Sequence, residues 1–282
     1  MLQRFLKYFL NIKYLNQIYI TFIRPTMEYA CEVWDGCSLE DSENLEKLQL
    51  EAGRIVTGLP IFASRDAIYS ETGWELLSHR RKTRRLSLFY SIHNNTAPGY
   101  LCTLKPPLVN QISNYNLRNN NNYTVPFCRL SNTKKSFFYA TINDWNHLSP
   151  VIRNSGSIGI FKSKIKSCLY KPPSYFSCGD RKTNIIHTRL RNMCSQLNAD
   201  LHRVNLIGNP SCICGHPYED CIHYFLECNQ YVHDRMTLFN ELNEFNVSIE
   251  LILAGDESLT NEENTYVFLC VYSFIRRTKR FE

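Results

Sequence analysis

The stretch LEDSENLEKLQLEAGRIVT, Leu39–Thr57, reads as one uninterrupted helix. Ser38 precedes it as an N-cap whose hydroxyl can accept from first-turn amides, and Gly58 stands just past its end, where a left-handed residue closes a helix. Leu45, Leu48, Ala52, Ile55 and Val56 fall on one face at helical spacing, so that face is expected in the core.

Outward from this helix the same spacing recurs over residues 2–22, which Pro25 should end, and over 64–71 and 74–94, which Gly73 separates. It recurs again at 136–148, 158–169, 183–197, 231–245, 249–254 and 262–277. Residues 123–129 are expected as a strand at most, while 105–122 are polar and turn-rich, with asparagine at each of 119–122, so a flexible loop is expected there. Residues 171–180 read as a linker. The expected fold class is mainly α: a helical bundle and a basic helical region, then a small cysteine-rich subdomain with flanking helices.

A chain of 282 residues with 44% hydrophobic content fills one large or two ordinary cores, which excludes a disordered chain. The net charge of +6 hides an uneven distribution. Residues 76–199 carry nineteen Lys and Arg against two acids, Asp144 and Asp180, a net of +17. Residues 1–75 carry seven bases and eleven acids, and residues 200–282 six bases and thirteen acids. The middle repels itself unless a polyanion or the acidic flanks neutralise it, and nucleic acid, RNA or DNA, is the expected polyanion. No membrane partner is expected, because the longest apolar run, residues 266–275, is half the ~20 residues a spanning helix needs. With no secretory signal in residues 1–10, the twelve cysteines read as reduced thiols of a protein of the cytoplasm and nucleus.

Four of these thiols cluster. Cys212 and Cys214 are followed by Gly215, then His223 and Cys228, a spacing of Cys-x-Cys, eight residues, His, four residues, Cys. Soft ligands in fours suit tetrahedral zinc, and four protein ligands leave no position for water, so a structural zinc is expected. His216 and Cys221 compete for places in the set. His223 and Cys228 lie about one and a half helical turns apart, so the backbone between them must tilt or unwind to present both. Glu219 and Asp220 are expected to orient a ligand or cap the next helix; the rival is a hydrolytic centre built on them.

Arg80, Arg81, Lys82, Arg84 and Arg85 place five cations within six residues of one predicted helix, ringing it. A solvated helix face is the ordinary explanation of such a run, and the acid-free context favours phosphate contacts instead. Arg118, Lys134, Lys135, Lys162, Lys164 and Lys166 extend the expected nucleic-acid-binding set, as does Arg129. Tyr115, Tyr123, Phe127, Phe137, Phe138 and Tyr139 are interleaved and could stack on unpaired bases, although Phe138 and Trp145 read more naturally as core.

Several short runs together resemble the region after the polymerase core in jockey-like non-LTR retrotransposon reverse transcriptases. They are Ile18-Tyr19, Phe22-Ile23-Arg24-Pro25, Glu28-Tyr29, Val33-Trp34-Asp35, Leu45-Glu46-Lys47-Leu48-Gln49 and Glu71-Thr72-Gly73-Trp74. Arg80-Arg81, Tyr115-Asn116-Leu117-Arg118, Lys135-Ser136-Phe137, Asp144-Trp145-Asn146 and the Cys-x-Cys-Gly with Glu219-Asp220, His223 and Cys228 follow in order. The resemblance implies a thumb-like region over 1–60, a basic helical region over 61–175 and a zinc-knuckle subdomain over 176–282. It also implies that the knuckle engages template RNA or target DNA, and that polymerase domains supplied in cis or in trans are partners. A polymerase needs paired aspartates for two metal ions, and no Asp-Asp pair occurs. The chain is therefore expected to be a non-catalytic fragment; the alternative is a domesticated protein-interaction module.

Overall fold

A computed structural model describes residues 10–112, 120–166 and 173–282. The fold is mainly α; among the described residues there is no strand, only an isolated antiparallel bridge between Leu108 and Tyr123. Helices of six or more residues are α1 Ile12–Ile18, α2 Leu39–Thr57, α3 Arg65–Thr72, α4 Leu77–His93, α5 Phe137–Asn146 and α6 Ile158–Ile165. They continue as α7 Arg181–Arg191, α8 Asn198–Arg203, α9 Val232–Glu241, α10 Ile249–Ala254 and α11 Asn261–Arg277.

The chain forms two units, and neither is contiguous. The first takes Met1–Ile23, Leu50–Trp74 and Lys171–Glu282; the second takes Arg24–Gln49 and Glu75–Tyr170. The expected division at residues 60 and 175 therefore gives way to one in which α2 lends its first half to one unit and its second half to the other.

Local chemistry explains where the helices begin and end. Ser38 caps α2 by accepting from the Asp41 amide at 3.0 Å, and Gly58 follows it at a φ of 76°, with Ile185 so close that a Cβ would meet its side chain at 2.4 Å. Ser64, Asp180 and Ser248 cap α3, α7 and α10 in the same way, and Thr260 with Glu263 forms a capping box on α11. No side chain caps α4 at Leu76; the buried Glu46 carboxylate on α2 accepts from the Leu77 amide instead, at 3.2 Å. Gln49 donates to Glu46 and to the Glu75 carbonyl. These polar duties turn α2, so that Glu46, Gln49, Leu50, Gly53, Val56 and Thr57 are buried while Leu48, expected in the core, is exposed.

Other expectations change for equally local reasons. Pro25 does not end the first helix. It sits in the turn Arg24–Met27 after a π-turn over Tyr19–Ile23, the wider winding falling where the proline ring would crowd a carbonyl four residues back. Past Tyr123 the segment to 129 finds no partner strand, and Pro126 removes a donor. Residues 173–180 do not behave as a linker, because Tyr175, Phe176 and Cys178 are buried. Residues 171 and 172, and part of the expected 105–122 loop, lie outside the described residues.

In the first unit Tyr19 stacks on Trp74 with centroids 3.9 Å apart, and the Trp74 indole donates to Asn16 at 2.9 Å. α11 is the central helix, packed by α7, α9, α10 and the turn Ser174–Ser177. Arg191 on α7 lies over the Tyr175 ring at 4.0 Å and pairs with the buried Glu71 carboxylate on α3, Nε to Oε1 at 2.6 Å. Asn192 donates to the same oxygen, and Arg191 also donates to the Leu253 carbonyl. In the second unit α4 carries Leu86, Phe89 and Tyr90 into a core with Tyr123, Ile142, Trp145 and Phe161, confirming Trp145 as an interior side chain.

Removing one partner of a buried ion pair strands the other, so Glu71→Ala should destabilise the fold by about 3–5 kcal/mol in urea unfolding, whereas Leu48→Ala should stay within about 0.5 kcal/mol. Equal effects at the two positions would contradict this burial. A second expectation concerns His187, fully buried with Nε2 against the Ile252 carbonyl at 2.9 Å. Burial, then the nearby Arg191, hold its imidazole well below the usual histidine range. The unfolded chain thus binds a proton at His187 that the folded chain refuses. Stability should fall as pH drops below the ordinary histidine value, by up to about 1.4 kcal/mol per pH unit, and His187→Gln should remove that part of the slope.

Candidate metal centre and basic surface

The metal-ligating candidates converge. Cys212, Cys214, His223 and Cys228 each offer one ligand atom, all within 4.8 Å of one another, and could hold a metal ion. Gly215, at a φ of 95°, folds the chain back so that its amide reaches the Cys212 carbonyl at 3.0 Å and the two thiols face one point. The gap between His223 and Cys228 is closed by a π-turn over His223–Glu227, with the Cys228 amide on the His223 carbonyl at 2.7 Å. This is the departure from regular helix that the spacing demanded.

Distances fit a tetrahedral ion. Thiolates each ~2.3 Å from such an ion stand about 3.8 Å apart; the Cys212 and Cys228 sulfurs are 3.7 Å apart. Cys214 Sγ lies 3.2 Å from His223 Nε2. Burial pushes the Cys212 thiol up to about 12, so a thiolate there calls for a compensating cation. Asp220 accepts from the His223 amide at 2.8 Å and so caps the π-turn. Glu219 is buried and held by Arg280 and the Asn198 amide, so it anchors the chain end instead of facing the thiols.

The two competitors take other places. Cys221 donates to the Leu190 carbonyl at 3.2 Å. The His216 ring stacks on His223 with centroids 4.1 Å apart, and its Nδ1 sits at the Tyr218 carbonyl. His216, His223 and Glu227 form a second convergent group that shares His223. The three-thiol set is the more buried and offers four ligands rather than three. Glu227, 3.7 Å from His223 Nδ1 and beyond hydrogen-bond reach of it, was not singled out by spacing. Among the described residues the cysteines form no disulfide.

The cations separate into two populations. Arg81 and Arg85, expected to contact phosphate, are buried on α4 and bind carboxylates: Arg81 to Asp35 at 2.9 Å, Arg85 to Asp35 at 2.6 Å and to Asp144. Arg80 and Arg84 hold the buried Glu28, Arg80 also meeting Glu75, and Lys82 reaches Asp144 at 2.8 Å. Two of the five expected contact cations are therefore buried in ion pairs, which two guanidiniums need, while Lys82 and Arg84 keep exposed side chains beside theirs. Lys134, Lys135, Lys162, Lys164 and Lys166 are exposed, and Arg118 lies outside the described residues. Lys105, Arg129 and Arg153 join the exposed or half-exposed group. Among the described residues none of these eight has a carboxylate partner. The second unit as a whole holds sixteen Lys and Arg against nine acids, a net of +7. Phe127 is almost fully exposed, with the Arg129 guanidinium 5.9 Å from its ring centroid.

No helix among the described residues is long and apolar enough to cross a membrane. Elemental analysis of the purified chain should find a single bound ion that Cys214→Ser or Cys228→Ser depletes and Cys221→Ser leaves in place; depletion by Cys221→Ser alone would reverse the ligand assignment. Comparison with protein-family models, with curated proteins and with solved structures finds nothing that matches the chain.

Proposed function

We propose that the chain is a non-catalytic nucleic-acid-binding region of a jockey-like non-LTR retrotransposon reverse transcriptase, carrying one structural zinc. The observation that supports it most is the set of cations with no carboxylate partner on a unit of net charge +7. These are Lys105, Arg129, Lys134, Lys135, Arg153, Lys162, Lys164 and Lys166. Unpaired surface cations repel one another and gain by releasing the counterions of a phosphate backbone. Exposed Phe127 beside Arg129 suits an unpaired base, which favours single strands.

Zinc is the metal the ligands favour, since three thiolates and an imidazole in a closed tetrahedral set match its structural sites. Cys212, Cys214, His223 and Cys228 would hold it, and it would supply folding free energy to a segment otherwise made of turns. No paired aspartates are available for phosphoryl transfer, which supports a binding role. RNA or DNA strands, and polymerase domains in cis or trans, are the partners of this reading, and cytoplasm and nucleus its compartments.

Binding of single-stranded RNA by the full chain should weaken steeply with salt. Replacing Lys162, Lys164 and Lys166 together by alanine should make the slope of log affinity against log salt shallower by about 2, from the ~0.7 counterions released per single-strand phosphate contact. An unchanged slope, or no binding at low salt, would remove the proposal. Salt-independent self-association would instead favour the protein-interaction module, for which exposed Tyr29, Val33, Leu39 and Leu48 would be the contact residues.

A further inference from the structure

Where α4 ends, hydrogen bonds tie three basic side chains into one cluster. His93 Nδ1 lies 2.6 Å from the Tyr123 hydroxyl. Next to Tyr123, Asn122 accepts from Arg153 at 2.8 Å through its side chain, and the Asn121 carbonyl lies 3.4 Å from the same guanidinium nitrogen. Two residues past His93, Asn95 accepts from Lys105 at 2.7 Å. Tyr123 is fixed from behind, its amide and carbonyl both engaged by the Asn146 side chain at 3.0 and 2.9 Å and its ring edge-on to Phe89. Asp144, the only carboxylate between residues 76 and 179, is already held by Lys82 and Arg85.

We infer that His93, Lys105 and Arg153, with the Tyr123 hydroxyl, form a binding site for a phosphate of a nucleic-acid strand. Among the described residues every side-chain hydrogen-bond partner of the two cations is a neutral amide, so no carboxylate there cancels their charge. A tetrahedral oxyanion would accept from the guanidinium fork, the ammonium and the imidazole together. Burial first, then the nearby positive charges of Lys105 and Arg153, hold the His93 imidazole below its usual range. The site extends the nucleic-acid reading and rests on it for the identity of the strand. It joins two of that reading's cations, Lys105 and Arg153, to His93 and Tyr123.

The test is the titration of His93 in the full chain, followed by NMR, with inorganic phosphate and with a single-stranded oligonucleotide lacking terminal phosphates. Both should raise its midpoint, by about one unit. Arg153→Met and Lys105→Met should each reduce the rise by half or more. Lys105 has only exposed Asn95 as a side-chain partner, so that variant keeps the test valid should Arg153→Met unfold. A midpoint unmoved by either probe, or a rise undiminished in the double variant, overturns the site. A response to inorganic phosphate without one to the oligonucleotide overturns its assignment to a strand. Lysine-dependent RNA binding without a His93 response sinks this site alone, and a His93 response without lysine-dependent binding sinks the broader reading alone.

Discussion

A carboxylate taken out of water must find a cation or a set of amide donors, and the chain is organised around that requirement. Glu28, Glu71 and Glu219 are almost wholly buried, and each is met by arginine: Arg80 and Arg84, Arg191, and Arg280. Asp35 holds both Arg81 and Arg85, and Asp144 meets Arg85 from its other side. Each pair joins segments far apart in sequence, up to 120 residues for Glu71 and Arg191. Desolvation consumes most of what such a pair gains, so the pairs contribute little net stability, but a wrong arrangement would leave a charge stranded at several kcal/mol. Their effect is to select one packing among the many that helices of similar apolar content allow.

This explains which parts of the sequence were legible. Leu39–Thr57, Ile249–Ala254 and the helix ending at Arg277 were readable to within a residue, because capping and apolar spacing are local signals. The outward turn of Leu48 was not, since it follows from Glu46 capping a helix that begins at Leu77, 31 residues on. Residues 173–180 look like a linker because Pro173 and Gly179 say nothing of Tyr175, which packs against the Arg191 guanidinium.

The cluster of Cys212, Cys214, His223 and Cys228, which could hold a metal ion, was the more legible half of the candidate site. Ligand spacing is short-range chemistry, and even the break in helical winding between His223 and Cys228 follows from a five-residue separation. What spacing left open was the choice between Cys221 and its neighbours, which depends on a carbonyl at Leu190. The basic surface was misplaced only in part, at the buried Arg81 and Arg85, and for the opposite reason. A run of five cations on α4 is the loudest electrostatic signal in the sequence, yet the acids that silence it lie in residues 28–75 and at 144.

The same pairing rule turns the misplacement into information. Acids of the second unit lie almost entirely before residue 76, and those that reach α4 neutralise it; beyond Asp144 none is available. The described cations from Lys105 to Lys166 are left facing amides, carbonyls and solvent, as Arg153 and Lys164 do at Asn122 and at the Val151 carbonyl. With Glu28, Glu71 and Glu219 each paired to arginine, and these eight cations lacking a carboxylate partner among the described residues, the second unit keeps a net positive charge. The arginines of α4 thus mark where positive charge is cancelled, and the described cations from Lys105 onward mark where no carboxylate stands within ion-pair distance.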